Sequence, residues 1–354
     1  MKLAIGFFDG VHLGHQRILA GADAALTFRA HPLSVLAPDK APPLLMTPEE
    51  RFAAIAAALK GFNGLNGFKG LRGFNGLNGF KGLRDFNGLN GFKGLRGCNG
   101  LNGFKDLRDF NGLNNPVRAL DFTRELAAEP AEAFAARLRR DYLDLEAILC
   151  GPNWRFGAGG AGDADFLRAR GFAVEVVPLE ELDGAPVSST RIRAALQAGD
   201  LPAANAMLGR PFAIVGAVVP GKGEGRKLGF PTINVQPANP CLACLLPLGV
   251  YVADTVWGRA VANWGQAPTM GEQAWTSPVL EVHIIRPLTP LKAIEPLKPL
   301  KSLGALEPLR PLKALTVSLL RFLRPERRFA SAEALREQIK ADVFSASHSP
   351  KDRL

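Results

Sequence analysis

Short apolar runs alternate with amphipathic stretches through the N-terminal part of the chain. Strand-like runs lie at 3–8, 24–28, 117–122, 147–151 and 172–177, and helical stretches begin at Gly14 and cover 47–59, 130–142, 163–170 and 189–198. Such an alternation is typical of a parallel sheet with helices on its faces. We therefore predict an α/β domain over residues 1–207.

The pattern changes after Pro211, where apolar runs are separated by Gly and Pro rather than by helices. Strand-like runs lie at 212–220, 249–257, 259–264, 279–285 and 315–322, and one helical stretch follows at 331–343. Short strands with Gly- and Pro-rich turns predict a small antiparallel β-barrel with a helix packed on it. A chain of 354 residues has room for both domains. We place the barrel domain at 208–345 and a tail at 346–354.

Two triplet repeats interrupt these patterns. Residues 61–114 repeat a small residue, Phe or Leu, and Asn, Lys or Arg eighteen times, and residues 287–316 repeat a Pro-Leu-Lys-like triplet ten times. A period of three fits neither an amphipathic helix nor a strand. The first repeat is open to collagen-like, β-solenoid and flexible interpretations; its lack of proline and its composition favour the last. The second favours extended, polyproline-like chain. We interpret both as insertions.

Most of the net charge of +10 comes from these repeats. Residues 61–114 carry eight Lys/Arg and three Asp, and residues 286–314 carry six Lys/Arg and two Glu, so the rest of the chain is nearly neutral. Nucleic acid is therefore not an expected partner, although Phe between Lys and Arg leaves binding of nucleic acid or an anionic surface by the repeats as an alternative. The sequence predicts no oligomeric state.

Cellular location and cysteine chemistry follow from simpler features. The chain has no apolar run of about 18 residues and no signal-peptide pattern, so we expect a cytoplasmic protein without a membrane span. Cys241 and Cys244 form a C-x-x-C pair, which occurs in redox and zinc sites. A second pair of zinc ligands is missing nearby, so small apolar residues in a loop are the favoured interpretation.

The first candidate site lies where the first strand runs into the first helix. Gly10 permits a tight turn, Gly14 lets a phosphate approach the backbone, and His12 and His15 complete an H-x-G-H motif. Unpaired N–H groups and the dipole at a helix N-terminus favour anions. The motif is similar to that of the nucleotidylyltransferase superfamily, which implies that the imidazoles stabilise the transition state at the α-phosphate of ATP. Alternatively, the two histidines only cap and pack.

Three further motifs follow predicted strands or begin a helix. The stretch 187–193 resembles the second signature of that superfamily, and its hydroxyls and arginine suit the β- and γ-phosphates. The candidate residues of these motifs are His31, Asn153, Ser189, Thr190 and Arg193. Because loops at the carboxyl ends of parallel strands share one edge, we expect all these motifs to converge there.

The second candidate site lies in the glycine-rich stretch 221–234. Its glycines allow a loop to fold over phosphates through backbone N–H groups, and the candidate contacts are Gly225, Arg226 and Gly229. Thr232 and Asn234 alternate on one face of an extended segment and can hold Mg²⁺ together with phosphate. Glu281 is a carboxylate in an apolar strand that can deprotonate an attacking hydroxyl. Alternatively, the glycine-rich stretch is a hairpin that binds no ligand, and Glu281 is an exposed residue on an edge strand.

These motifs together resemble the bacterial bifunctional riboflavin kinase/FMN adenylyltransferase (FAD synthetase) family. The resemblance extends to 248–251, 262–265, 268–269 and 324–329. It implies a Rossmann-like α/β nucleotidylyltransferase domain that adenylylates FMN, and a β-barrel domain that phosphorylates riboflavin with Mg²⁺ and ATP. Glu281 would be the base of the kinase step, and the H-x-G-H histidines would serve adenylylation. A chain that retains only the kinase step is the alternative within this resemblance.

Overall fold

A computed structural model describes residues 1–59, 116–221, 223–265, 278–285 and 314–348. The chain divides into two compact units, and the division falls between Ser189 and Thr190. The first repeat and residues 287–313 of the second lie outside the described residues, so the interpretations of the repeats stay predictions. In the described part, no helix is long and apolar enough to cross a membrane.

The first unit contains a five-stranded parallel sheet. Its strands are β1 (Lys2–Ile5), β2 (Ala24–Phe28), β3 (Val117–Leu120), β4 (Ala147–Cys150) and β5 (Val174–Val176), in the order β3-β2-β1-β4-β5. The helices are α1 (Leu13–Ala20), α2 (Pro32–Leu36), α3 (Pro48–Ala58), α4 (Arg124–Ala127), α5 (Ala131–Asp141) and α6 (Ala164–Arg168). A two-stranded hairpin of β6 (Glu181–Leu182) and β7 (Ala185–Pro186) follows. The predicted α/β architecture is confirmed.

Side chains of the central strand face two separate hydrophobic clusters. Ala4 packs with residues of α1 and α3, whereas Leu3 and Ile5 pack with residues of α5 and with Leu167 of α6. Successive residues of a strand point to opposite faces, so both faces of the sheet are covered by helices. The loops after β1, β2 and β4 leave the carboxyl ends of three adjacent strands, at the edge where ligands bind in such sheets.

The second unit is a closed six-stranded antiparallel barrel. Its strands are β8 (Phe212–Val219), β9 (Ile233–Pro237), β10 (Gly249–Thr255), β11 (Gly258–Gly265), β12 (Val279–Ile284) and β13 (Ala314–Pro325), in the order β10-β11-β12-β9-β8-β13. Helix α7 (Ser189–Gln197) leads into it, and α8 (Leu201–Leu208), α9 (Glu224–Lys227), α10 (Leu242–Leu245) and α11 (Ala332–His348) complete the unit. The predicted barrel with its closing helix is confirmed.

An ion pair and a small apolar cluster attach the last helix to the barrel. Arg324, near the end of β13, donates from Nη2 to Asp342 of α11 at 2.7 Å and from Nε at 3.1 Å. Both side chains are largely buried, and Asp342 is only 5% exposed. Ala346 of the same helix packs against Val250 and Leu320. The chain after β13 is thereby held against the outside of the barrel.

The structure adds to the sequence-based expectations at four points. The compact units divide after Ser189, the first residue of α7, and α8 packs on β8 and β13; the domain boundary at 207 stays a prediction. β9 was not predicted, since its five residues end in Pro and follow a glycine-rich stretch. Residues 314–316 are the start of β13 although they continue the triplet pattern, and Leu315 is buried. Helix α11 extends to His348, beyond the expected start of the tail at 346.

Asn205 of α8 gives a test of how this helix stabilises the barrel. Its side-chain amide donates to the Leu319 carbonyl at 3.0 Å and accepts from the Phe212 N–H at 2.7 Å, and the residue is 3% exposed. Asn205→Ala leaves two buried backbone groups without partners, so we expect the unfolding free energy to fall by about 2–3 kcal/mol. Urea titration followed by hydrogen exchange of β8 and β13 measures this loss. The exposed Gln197→Ala, which loses one bond to the Cys244 carbonyl, is the control and should change stability by less than about 0.5 kcal/mol.

Candidate active sites

The loop between β1 and α1 has an unusual backbone. Phe8, Gly10 and Val11 all have positive φ angles, of 58°, 79° and 42°. Asp9 between them is 3% exposed, and both of its carboxylate oxygens accept from the Leu45 N–H at 3.2 Å. Left-handed conformations at non-glycine residues are costly and persist only where the surroundings fix them. The buried aspartate therefore holds a strained turn at the carboxyl end of the central strand.

The two histidines of the H-x-G-H motif form a stacked pair at the start of α1. His12 is the N-cap, and its Nδ1 accepts from the His15 N–H at 3.4 Å. The rings stack with centroids 3.6 Å apart, and a Cβ at Gly14 would lie 3.4 Å from the His12 ring. Glycine at that position thus leaves room for the ring against the helix start.

The pKa of His15 is well below its ordinary value. Burial is the main cause, and the neighbouring His12 lowers the pKa further. Its Nδ1 is buried and has no partner among the described residues. His15 is accordingly a neutral imidazole at pH 7, placed at the positive end of a helix, where an approaching phosphate would favour its protonation.

Other predicted residues of this site follow neighbouring strands. His31 is the N-cap of α2, its Nδ1 accepts from the Leu33 N–H at 3.1 Å, and its ring meets the Phe7 ring edge-on at 4.8 Å. Asn153 is exposed in the turn after β4. The hydroxyl of Ser189 donates to the Asp9 carbonyl at 2.9 Å, which ties the start of α7 to the strained turn.

Thr190 and Arg193 lie on the same helix as Ser189 but belong to the second compact unit. Thr190 is exposed and Arg193 is half-buried. Their predicted convergence on the histidines therefore stays a prediction. The first unit by itself brings the loops carrying His12, His15, His31 and Asn153 to one edge of the sheet and joins Ser189 to the turn before His12.

Three polar residues of the second unit form a row across adjacent strands of the barrel. Asn234 of β9 lies directly opposite Glu281 of β12, which lies directly opposite Asn263 of β11. Residues directly opposite each other in a sheet share a face. Leu280 and Val282, on either side of Glu281, are fully buried, so the row lies on the outer face. The strand register therefore brings Asn234 and Glu281, two candidate site residues, together on one face, with Asn263 beside them.

The glycine-rich loop approaches this row where side chains would not fit. A Cβ at Gly221 would lie 2.4 Å from Nδ2 of Asn234, and a Cβ at Gly225 would lie 2.4 Å from the Phe230 carbonyl and 3.3 Å from the Thr232 hydroxyl. Gly229 has a φ of 87°, and Arg226 in α9 is exposed. The loop thus lies directly beside Thr232 and Asn234.

Glu281 has a raised pKa. Burial is the larger cause, and the charge of Glu326 adds to it. Glu326 lies next to Gly265 and Asn263, since a Cβ at Gly265 would be 2.8 Å from its Oε1 and 3.1 Å from Nδ2 of Asn263. A raised pKa makes a carboxylate a stronger base, which suits the removal of a hydroxyl proton.

The oxygen atoms beside the loop fit a magnesium ion. Thr232 offers a hydroxyl and Asn234 an amide oxygen, which are hard ligands of the kind that Mg²⁺ prefers. Among the described residues, no group of three His, Cys, Asp or Glu could hold a metal ion by itself. Mg²⁺ usually takes few protein ligands together with substrate phosphates.

Comparison with known proteins identifies the family. The riboflavin kinase family profile matches residues 208–349, and the FAD synthetase family profile matches residues 1–62 and 112–191. A bifunctional riboflavin kinase/FMN adenylyltransferase from Pseudomonas fluorescens is 32% identical over 351 residues, which cover 97% of this chain and 90% of the relative. The chain belongs to the bifunctional riboflavin kinase/FMN adenylyltransferase family.

Other members of the family are similar to this chain over nearly its whole length, and one solved structure is similar in fold. Proteins of the same description from Escherichia coli K12 and Bacillus subtilis 168 are each 28% identical to this chain. Both matches cover 97% of this chain; they cover 91% of the Escherichia coli protein and 90% of the Bacillus subtilis protein. A crystal structure described as a macrolide-efflux protein from Streptococcus pneumoniae is similar with a TM-score of 0.66 and 22% identity, and covers 99% of this chain and 94% of that one. At that identity the likeness concerns the fold alone.

Several residues at these sites were not predicted as site residues. Asn263 and Glu326 lie in stretches that resemble the family, but only the strand register and the course of the chain after β13 bring them beside Glu281. His283 is a third such residue, and its Nδ1 lies 2.9 Å from the Pro231 carbonyl, next to Thr232. The alternation of Glu281 and His283 on one face of a strand was the available signal.

The stacked histidines predict a measurable coupling. His12→Asn removes the charge effect of the neighbouring imidazole, so the pKa of His15 should rise but stay below 6.5, because burial is the larger cause. Titration of the His15 ring resonances by NMR in both proteins checks this. A His15 that titrates at or above 6.5 in the wild-type protein would contradict the burial described here.

Proposed function

We propose that this chain makes FAD from riboflavin in two ATP-dependent steps. The second unit phosphorylates riboflavin to FMN, and the first unit adenylylates FMN to FAD with release of pyrophosphate. The main support for the proposal is that each unit has its own candidate phosphate-binding site. The first unit has stacked histidines at a helix start, and the second has a glycine loop beside the Asn234–Glu281–Asn263 row. The matches to both family profiles support the same division.

The kinase step needs a base and a phosphate cradle. The carboxylate of Glu281 accepts the proton of the ribityl 5′-hydroxyl, whose oxygen attacks the γ-phosphorus of ATP, and ADP leaves. Backbone N–H groups around Gly225 and Gly229, with the Arg226 side chain, bind the phosphates. Thr232 and Asn234 are the residues that would hold Mg²⁺, which when bound neutralises charge on the transferred phosphoryl group.

The adenylylation step needs positioning and charge neutralisation. A phosphate oxygen of FMN attacks the α-phosphorus of ATP, the bond to the β-phosphate oxygen breaks, and pyrophosphate leaves. His12 and His15 stabilise the charge that develops on the α-phosphate oxygens. His31, Asn153, Ser189, Thr190 and Arg193, with the backbone at Gly10 and Gly14, bind the rest of the triphosphate and the nucleotide.

Location and partners follow from these reactions. The substrates are small molecules, and the need for ATP is the reason that we propose the cytoplasm as the place of reaction. We propose no role for nucleic acid, because the charge that would attract it lies mostly in the repeats.

Two matched variants separate the two steps. Glu281→Gln should lower FMN formation from riboflavin by about 10²- to 10⁴-fold, because the base is lost, and leave FAD formation from added FMN unchanged. His15→Asn should lower FAD formation by about 10²- to 10³-fold and leave FMN formation unchanged. Chromatography of the flavin products formed from riboflavin or FMN with Mg-ATP measures both rates.

Each variant is the control for the other, since each keeps one reaction. If wild-type protein makes FMN but no FAD, the kinase-only alternative replaces the bifunctional proposal. If it makes neither product, both are wrong.

The charge of Glu326 predicts a change in the pH dependence of the kinase step. Glu326→Gln removes one cause of the raised Glu281 pKa, so the base is deprotonated at lower pH and the acid limb of the pH–rate profile should shift to lower pH. Burial remains, so the pKa should stay above its ordinary value. Glu337→Gln on α11, an exposed residue paired with Lys340, should leave the profile in place. An unchanged profile in Glu326→Gln would exclude this coupling.

A further inference from the structure

Arg51 is an arginine in the hydrophobic core of the first unit. It is fully buried, and it lies on the same side of α3 as Ile55 and Ala58, which are also buried. A capping box between Thr47 and Glu50 fixes the start of this helix, since each side chain bonds to the other residue's N–H at 3.2 and 2.7 Å. Because the start of α3 is fixed, the side of the helix from which the Arg51 side chain extends is fixed as well.

The guanidinium of Arg51 contacts two loops of the adenylylation site. Its Nη2 donates to the carbonyls of Phe28 at 2.6 Å and Arg29 at 2.9 Å, at the carboxyl end of β2 and just before His31. Its central carbon lies 4.0 Å from the centre of the Phe7 ring, in the loop after β1. The Phe7 ring in turn contacts His31 edge-on. Arg51 is thus connected to His31 in two ways: it bonds to the backbone just before His31, and it stacks on the Phe7 ring that contacts His31.

This placement is unfavourable for stability alone. Nε and Nη1 of Arg51 are buried without an acceptor among the described residues, and burial lowers the pKa of Arg51 to about 10 although Asp9 and Glu49 oppose the shift. Buried donors without partners and buried charge both disfavour the folded state. Full burial also prevents the side chain from contacting a substrate.

We propose that Arg51 is a positioning residue for adenylyl transfer, which holds His31 in place by fixing the end of β2 and the Phe7 ring together. The inference rests on the proposed adenylyl transfer in the first unit. A planar guanidinium can donate in its plane and stack on an aromatic face at the same time, whereas an ammonium group cannot do both in this way. The role therefore depends on geometry rather than on charge.

Arg51→Lys in the full chain is the direct test, since it keeps the charge and removes the planar group. We expect kcat for FAD formation from FMN to fall by about 10- to 100-fold, with much smaller changes in KM for ATP and FMN, because a small displacement of a site residue affects the transition state most. FMN formation from riboflavin should stay at the wild-type rate. Arg139→Lys is the matched control, because Arg139 also stacks on a phenylalanine, Phe172, and donates to the Arg170 carbonyl, but belongs to α5.

A double-mutant cycle with His31→Asn separates positioning from a general loss of folded protein. If Arg51 acts through His31, the double variant should be little slower than the slower single variant, because the two changes remove the same contribution. If Arg51→Lys only reduces the folded fraction, the two losses multiply, and the proposal is overturned. It is equally overturned if Arg51→Lys leaves FAD formation unchanged or if His31→Asn has no effect.

The ring resonances of His31 give a test independent of turnover. These resonances depend on the contact between His31 and Phe7, so they should shift in Arg51→Lys and not in Arg139→Lys. If the His31 resonances of Arg51→Lys are unchanged, the proposal is refuted, even if the wild-type protein makes no FAD. Absence of FAD in the wild type refutes the proposed function itself. If Arg51→Lys fails to fold, Phe7→Leu takes its place, because it removes the ring on which Arg51 stacks. The double-mutant cycle with His31→Asn is then run with Phe7→Leu, and the expected results are the same.

Discussion

Partial burial of ionisable side chains is the physical constraint that both sites share. His15 lies partly buried beside a second imidazole, and Glu281 lies partly buried beside a second carboxylate, so charging both members of either pair is disfavoured where water screens charges poorly. Such groups stay in place only if the surrounding backbone is rigid. In the first unit the Asp9 carboxylate bonds to the Leu45 N–H and holds the turn before His12, and in the second unit strand pairing holds Glu281 between Asn234 and Asn263.

In each unit, the type of sheet determines where the partly buried site residues lie. In the first unit, parallel strands place successive loops at one edge, and the helix that follows the central strand presents its N-terminus there. In the second unit, antiparallel register places one polar residue from each of three strands in a row. One chain therefore carries two different candidate phosphate sites, a helix N-terminus with imidazoles and a glycine loop beside a carboxylate.

Much of this could be predicted because it depends on local sequence. Alternating strands and helices indicated the parallel sheet, and H-x-G-H indicated a phosphate site because capping at a helix start needs only neighbouring residues. Arg51 could not be found in this way, since an arginine after two glutamates in the first turn of a helix looks exposed. Glu326 could not be found either, because only the path of the chain after β13 brings it to Glu281.

The order of the parallel sheet has a consequence for the behaviour of the protein in concentrated solution. Among the described strands, the outermost ones of the parallel sheet are β3 and β5, with only four and three residues. Each carries a charged side chain, Arg118 and Glu175 respectively, and Arg118 stacks over Tyr142 at 4.9 Å. Short, charged edge strands pair poorly with strands of other molecules. In the described part of the chain, the outermost strands of the open sheet are thus poor templates for edge-to-edge aggregation, while the closed barrel has no edge strand.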